Sequence, residues 1–507
     1  MTIFKKLQKY TKDMSNKTFW IITVSLATCA GLLSFLIGSM QSIWFDESYS
    51  VVVAGHSLGD IIHLASLDTH PPLYYILLHF WGDMVNWNIL GLRVFSTIAL
   101  VGSLVVSGAM LRRMFGEKIA ITALLVAIAS PMLLRYGFEI RMYSLASLIG
   151  IGATYVLYLA KIDSAKRWLW VIYGILVALG MYVLYYLVFL WIAHLVWLVW
   201  QQIKDGNRLR YLWKEPWIRT YGLAVLLFLP WLITFINQIS NGALAPIGQP
   251  LDLSNLIGIL TFNTLYQPTW QVAMMGTVLF IIFLGALIYL AIKGLKNLKR
   301  SEWGAVGLLA GYMLIPVLIL MLISFLRPMY VERYLSHVAI GLMLFIGVVM
   351  GLAFRKKTGL FTKLSGLAIG MVLIVGTIHL ASVGNFNFQR MERPTVQQVA
   401  KHIGNCTDDD LIVLGGPYEM IEFESIIGDY CNLAFHSNDD VLRGGYAPLN
   451  KDKRQFRGET LPTTHNKLSY IFYGDAELAV SDEYSLEDQY QFGKLTVLEY
   501  SRLMKSK

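Results

Sequence analysis

Apolar runs long enough to cross roughly 30 Å of hydrocarbon begin at Phe19 and recur to about Val383, each broken by a short polar loop. The first run is too long for a cleavable signal, and no small-residue cleavage site follows Met40, so it reads as a retained anchor. The span count turns on residues 71–87, whose unbroken apolar stretch, Leu73 to Trp81, covers nine residues. About 20 are needed to span. If 71–87 lies outside as an amphipathic helix, loops 1–18, 112–118, 161–167, 201–219, 293–302 and 355–363 share one side and carry 24 Lys and Arg. The opposite short loops hold only Arg93, Arg135, Arg141, Arg327 and Arg333. That asymmetry marks the basic side as cytoplasmic, whereas a span at 71–87 would send nineteen of those residues outside. The expectation is about eleven transmembrane helices, an outer amphipathic helix and an external C-terminal tail.

From about Asn385 the pattern becomes that of a soluble domain. It predicts a helix over 395–402, a strand over 411–414, a helix over 418–427 and strands over 431–435, 468–473 and 495–500. The predicted fold class is therefore a polytopic α-helical membrane protein with a small C-terminal α/β extracytoplasmic domain. Residues 1–384 are expected to form the transmembrane domain, with 42–92 as its outer loop, and residues 385–507 the second domain. Gly415 and Gly416, between a strand and a helix, read as a plain tight turn rather than a phosphate cradle.

Composition agrees with this pattern: 56% hydrophobic and 15% charged residues place the chain among integral membrane proteins. The net charge of +9 follows from the topological bias, so nothing points to nucleic acid. Contact of the cytoplasmic Lys and Arg with anionic membrane lipids is generic. Cys406 and Cys431 would both face the oxidising side, where they could pair.

The chemistry concentrates in loop 42–92, which holds Asp46, Glu47, Asp60, Asp68 and Asp83 with no Lys or Arg. In WFDES, Asp46 follows Trp44 and Phe45 and precedes the apolar Tyr49 to Ala54, a partly desolvated setting that suits a general base. Adjacent side chains on a helix diverge by about 100°, so Asp46 and Glu47 divide into one base and one supporting carboxylate. An acidic cap at a membrane face is the plainer alternative. In DTHPPLYY, His70 precedes a Pro-Pro pair that fixes the backbone, leaving it to bind a phosphate, orient a carboxylate or simply cap.

Two further outer turns carry charge at the apolar boundary: YGFEIRMYS, with Glu139, Arg141 and Tyr143, and RPMYVERYLSH, with Arg327 and Arg333. Charge at or within a bilayer is costly, which calls for a reason. A guanidinium donates two parallel hydrogen bonds and stays charged, as a phosphate requires. Snorkelling, or a Glu139–Arg141 or Glu332–Arg333 ion pair, would be the structural explanation. His56, Asp60 and His63 share the spacing of one helix face; a metal there is possible, but a polar face is the simpler reading, and no DxD, HExxH or paired CxxC supports a cofactor.

WFDESYS, DTHPPLYY, FEIRMYSL and ERYL together resemble the GT-C glycosyltransferases of the protein O-mannosyltransferase and aminoarabinose transferase type, bacterial family 39. The resemblance covers the membrane portion, above all residues 42–145. It implies a hexosyl or pentosyl transferase that takes sugar from a polyprenyl phosphate outside the cytoplasmic membrane, with Asp46 as catalytic base and Glu47 beside it. His70, Glu139, Arg141, Tyr143, Arg327 and Arg333 are then candidates for binding the donor phosphate and substrate. Acceptors in this group range over envelope glycans, lipids and protein hydroxyls. A lipid-linked-sugar flippase, or a glycan-binding membrane protein with an inert Asp46, is the alternative. Transporters, however, usually place charge near the midplane rather than at one face.

Overall fold

The computed structural model describes residues 14–163, 165–206, 214–240, 253–266, 274–325, 330–356, 358–383, 395–438, 447–450, 453–457, 460, 465–474 and 478–503. The expected domain boundary near 385 lies outside them, as does Arg327. Helix α1 (Asn16–Ser39) is followed by three short helices, α2 (Phe45–Ala54), α3 (Leu58–Leu67) and α4 (Leu73–Met84). Next come α5 (Ile89–Phe115), α6 (Glu117–Ala127), α7 (Pro131–Phe138), α8 (Tyr143–Ile162), α9 (Trp168–Val183), α10 (Leu187–Lys204) and α11 (Pro216–Ser240). The helical series continues with α12 (Leu253–Leu265), α13 (Met274–Lys296), α14 (Trp303–Ser324), α15 (Ser336–Ala353) and α16 (Leu360–Val383).

Among the described residues, nine helices are long and apolar enough to span: α1, α5, α8, α10, α11, α13, α14, α15 and α16. The other two of the eleven expected positions are irregular. One holds α6 and α7, bent by 71°; Pro131 at the start of α7 drives Ser130 out of the helical region to ψ 118 and breaks the run. The other holds α9, whose 16 residues reach about 24 Å at 1.5 Å per residue. Helix α4, the expected amphipathic segment, has 12 residues and is too short to span.

By packing the chain divides into two units, one of residues 1–36, 93–237 and 244–382, the other of 37–92, 238–243 and 383–507. In the first, α15 is the most enclosed of the nine long apolar helices, with 89% of its apolar window buried. Small residues let its backbone touch its neighbours: a Cβ on Gly347 would overlap Ala123 of α6, and one on Gly294 of α13 would overlap the Val349 carbonyl.

In the second unit, α17 (Thr395–Ile403), α18 (Pro417–Ile427) and α19 (Ala447–Asn450) accompany a six-stranded sheet. Its strands are β1 (Asp410–Leu414), β2 (Leu433–His436), β3 (Arg454–Phe456), β4 (Lys467–Tyr473), β5 (Tyr484–Phe492) and β6 (Leu495–Arg502). They run in the order β3-β2-β1-β4-β6-β5, with the first four parallel, β6 antiparallel to β4 and β5 antiparallel to β6. Leu411, Val413, Ala434, Leu468, Tyr470 and Phe472 form a core on the sheet. Cys406 and Cys431 are disulfide-bonded, with Cα atoms 5.1 Å apart. Gly415 is required by close packing, since a Cβ there would stand 2.8 Å from Phe472 Cβ. The Glu419 carboxylate lies beside Gly416 at the start of α18, where an anion would otherwise dock.

Candidate active site

The two carboxylates of WFDES open α2. Trp44, with extended backbone (φ −128, ψ 168), precedes the helix. Both Asp46 and Glu47 fall in its first turn, where the helix dipole favours negative charge. Their access differs: Glu47 is 1% exposed, whereas Asp46 is half-buried. The Ser50 hydroxyl donates to the Asp46 carbonyl at 2.9 Å and tightens this turn. Tyr49 of α2 meets Tyr75 of α4 edge to face at 6.3 Å.

His70 lies in the same unit and is buried. Its Nδ1 stands 3.0 Å from Asp68 Oδ2 and 3.0 Å from Thr69 Oγ1. The Gln238 side-chain amide donates to the Asp68 carbonyl at 2.6 Å and to the Ala65 carbonyl at 2.9 Å, so the backbone under the pair is fixed as well. Asp68 thus sets the orientation of the imidazole, and the spacing D-x-H before two prolines is the signal for it in the sequence. His56, Asp60 and His63 do not form one helix face. His56 precedes α3 and bonds the Val52 carbonyl, Asp60 accepts from the Ser57 hydroxyl, and no group of three metal-ligating side chains occurs among the described residues.

The first unit gathers arginines. Arg93, Arg135 and Arg141 are 1%, 2% and 3% exposed, and Glu139 is 0% exposed. Arg135 Nη1 pairs with Glu139 Oε2 at 2.9 Å, one turn apart. Arg135 is thus an ion-pair partner of Glu139, and the i, i+4 spacing is its signal in the sequence. The guanidiniums of Arg93 and Arg135 both lie over the Phe138 ring, at 5.6 and 5.1 Å. The Ser96 hydroxyl donates to the Glu139 carbonyl and ties α5 to this turn. Tyr143 is fully buried and packs edge to face on Tyr136 at 4.9 Å.

Arg333 sits in the short 3-10 turn Glu332–Leu335, with its guanidinium 5.6 Å from the Tyr334 ring. Burial, and then the Glu332 carboxylate, push the Tyr330 hydroxyl well above the usual tyrosine range, so it stays a donor at neutral pH. The first unit thus brings together Arg93, Arg135, Glu139, Arg141 and Tyr143, while Asp46, Glu47 and His70 belong to the second.

Residues 69–234 match the family model described as dolichyl-phosphate-mannose-protein mannosyltransferase. That segment includes His70, Arg135, Glu139, Arg141 and Tyr143, and leaves Asp46, Glu47 and Arg333 outside. In fold the chain is similar to ArnT from Cupriavidus metallidurans bound to undecaprenyl phosphate: TM-score 0.62, 10% identity, 94% of this chain and 97% of that one. It is likewise similar to the apo state of that protein, with TM-score 0.59, 10% identity and coverage of 96% and 98%. No curated protein matches the sequence. The fold is ArnT-like, with many helices long and apolar enough to span a membrane and a small C-terminal sheet domain, as the motifs implied.

Proposed function

We propose that the protein is a membrane glycosyltransferase that moves a hexosyl or pentosyl unit from a polyprenyl phosphate to an acceptor hydroxyl on the outer face of the cytoplasmic membrane. The observation that carries this reading is the burial of three guanidiniums, Arg93, Arg135 and Arg141, and of the Glu139 carboxylate within the segment that matches the mannosyltransferase family. Buried charge is costly, and a bound phosphate is the ligand that planar, permanently charged donors suit. ArnT, with undecaprenyl phosphate bound, supplies the precedent for the lipid carrier in this fold.

In the proposed reaction, Asp46 takes the proton of the acceptor hydroxyl as its oxygen bonds to the anomeric carbon. The bond from that carbon to the phosphate oxygen breaks, and its electron pair leaves with the polyprenyl phosphate. Attack opposite the leaving group inverts the anomeric configuration. A phosphate leaving group needs cations rather than a second acid, and Arg141, Arg333 and His70, oriented by Asp68, have that role. Glu47 supports Asp46 from its buried position. Acceptors of the bacterial envelope, whether glycan, lipid or protein, fit this chemistry.

The test is transfer of label from a polyprenyl-phosphate sugar to a hydroxyl acceptor by the full-length protein in sealed proteoliposomes of known orientation. Product formed only when the acceptor is on the outer face supports the reading. Movement of the labelled lipid between leaflets without a glycosylated product would overturn it in favour of a flippase.

A further inference from the structure

The helix that carries Asp46 is held from the far end of the chain. Immediately before α2, the Ile43 amide donates to Gln397 Oε1 at 3.2 Å, and the Ser42 hydroxyl lies 3.3 Å from the same oxygen while also reaching its neighbour's carbonyl at 3.0 Å. The exchange is reciprocal, because the Val396 amide donates to Ser42 Oγ at 3.2 Å. Val396 is in the first turn of α17, where backbone amides have no partner within the helix. Ser42 therefore caps α17, and Gln397 of α17 fixes the strand of chain leading into α2. Ser42, Ile43 and Trp44 are all buried and Gln397 is half-buried, so competition from water for these bonds is reduced. A second contact acts on α2 itself: Phe45, next to Asp46, packs edge to face on Tyr418 of α18 with ring centroids 4.9 Å apart.

All these residues belong to one packing unit, which joins 37–92 to 383–507. We infer that the C-terminal domain is a mount for the catalytic helix, with Gln397 and Tyr418 as positioning residues that set where the Asp46 carboxylate stands. The inference rests on Asp46 being the base. Its physical content is that general-base catalysis depends steeply on the placement of the accepting oxygen, whereas donor affinity, assigned to other residues, does not depend on it. Loss of the mount should reduce kcat and leave KM for the donor alone, a division that a general loss of folded protein would not produce.

Gln397→Met keeps the length of the side chain and removes the accepting oxygen; Gln397→Glu keeps an acceptor in place. Single-turnover transfer by full-length Gln397→Met should be slower by roughly fivefold to thirtyfold with donor KM unchanged, and Gln397→Glu should recover much of that loss. Ser42→Ala removes the Ser42–Gln397 bond and the cap on the Val396 amide but leaves the Ile43–Gln397 bond. Because the two variants share only the Ser42–Gln397 bond, the double variant Ser42→Ala/Gln397→Met should be slower than either single one, by less than the product of the two effects. Tyr418→Leu gives an independent reading should Gln397→Met fold poorly, with kcat again falling and Tyr418→Phe recovering it. Wild-type kcat in folded Gln397→Met and Tyr418→Leu, alongside an inactive Asp46→Asn, overturns the mount and leaves the glycosyltransferase reading standing. Wild-type kcat in Asp46→Asn overturns both.

Discussion

Glu139 in the first unit and Glu47 in the second are both almost completely buried carboxylates, at 0% and 1% exposure, but their surroundings are built differently. Glu139 meets Arg135 four residues earlier, so that short stretch of chain carries its own countercharge. The chain that enters the turn of Asp46 and Glu47 is held instead by Gln397, which is 354 residues from Ile43. Charge in the first region is balanced locally; position in the second is set by distant chain. If the assigned roles hold, damage in the arginine turn should appear in stability and donor affinity, and damage around α2 should appear in the chemical step.

The largest effect expected is at Asp46. Asp46→Asn keeps size and much of the hydrogen bonding but cannot accept a proton, so single-turnover transfer should fall by roughly a hundredfold to ten-thousandfold. Donor binding, measured on the purified folded variant, should survive. Glu47→Gln should be milder. A wild-type rate in Asp46→Asn would remove the contrast between the two regions.

Next is the buried pair. Glu139→Gln takes away the charge that Arg135 faces, and breaking one side of a buried ion pair costs roughly 3–5 kcal/mol of stability. The thermal midpoint of the purified protein should drop accordingly. A midpoint unchanged from wild type would mean that Arg135 is satisfied without Glu139 and that the first region does not balance its charge locally. Arg141→Lys and Arg333→Lys should follow, with donor affinity weaker by about tenfold, because a point charge cannot reproduce the planar fork. Unchanged donor affinity in both, with normal folding, would count against the phosphate role.

Much of this molecule can be read from its sequence because hydrocarbon imposes a length rule. The positions of α1, α5, α8, α10, α11 and α13 to α16 follow from apolar runs. The two irregular positions follow less well. Pro131 bends one run and α9 stops at 16 residues, neither of which changes composition. In the sheet, β5 was missed because YSLEDQYQF leaves Leu486 to Gln489 exposed at an edge and shows no clean apolar alternation. Arg135 is legible as the i, i+4 partner of Glu139, although Arg141 is nearer in sequence. Gln397 carries no local signal at all. Its importance lies in a contact between segments that no periodicity links, and the same is true of Gln238 beneath Asp68.

The smallest effect should come from Asp68. Its carboxylate faces His70 Nδ1 at 3.0 Å in a buried setting, so it selects the tautomer and holds the ring in one orientation. Asp68→Asn preserves the shape and leaves an amide oxygen able to accept, but withdraws the negative charge that strengthens the bond. A net difference of roughly 1 kcal/mol corresponds to about a fivefold weakening of donor binding. Because His70 is assigned to the phosphate and Asp46 to the proton, that loss should fall on donor affinity, with single-turnover transfer at saturating donor near wild type. Transfer slowed at saturation with affinity intact would instead place the Asp68–His70 pair with α2 in the chemical step, and the division of labour between phosphate binding and proton removal would have to be redrawn within the second unit.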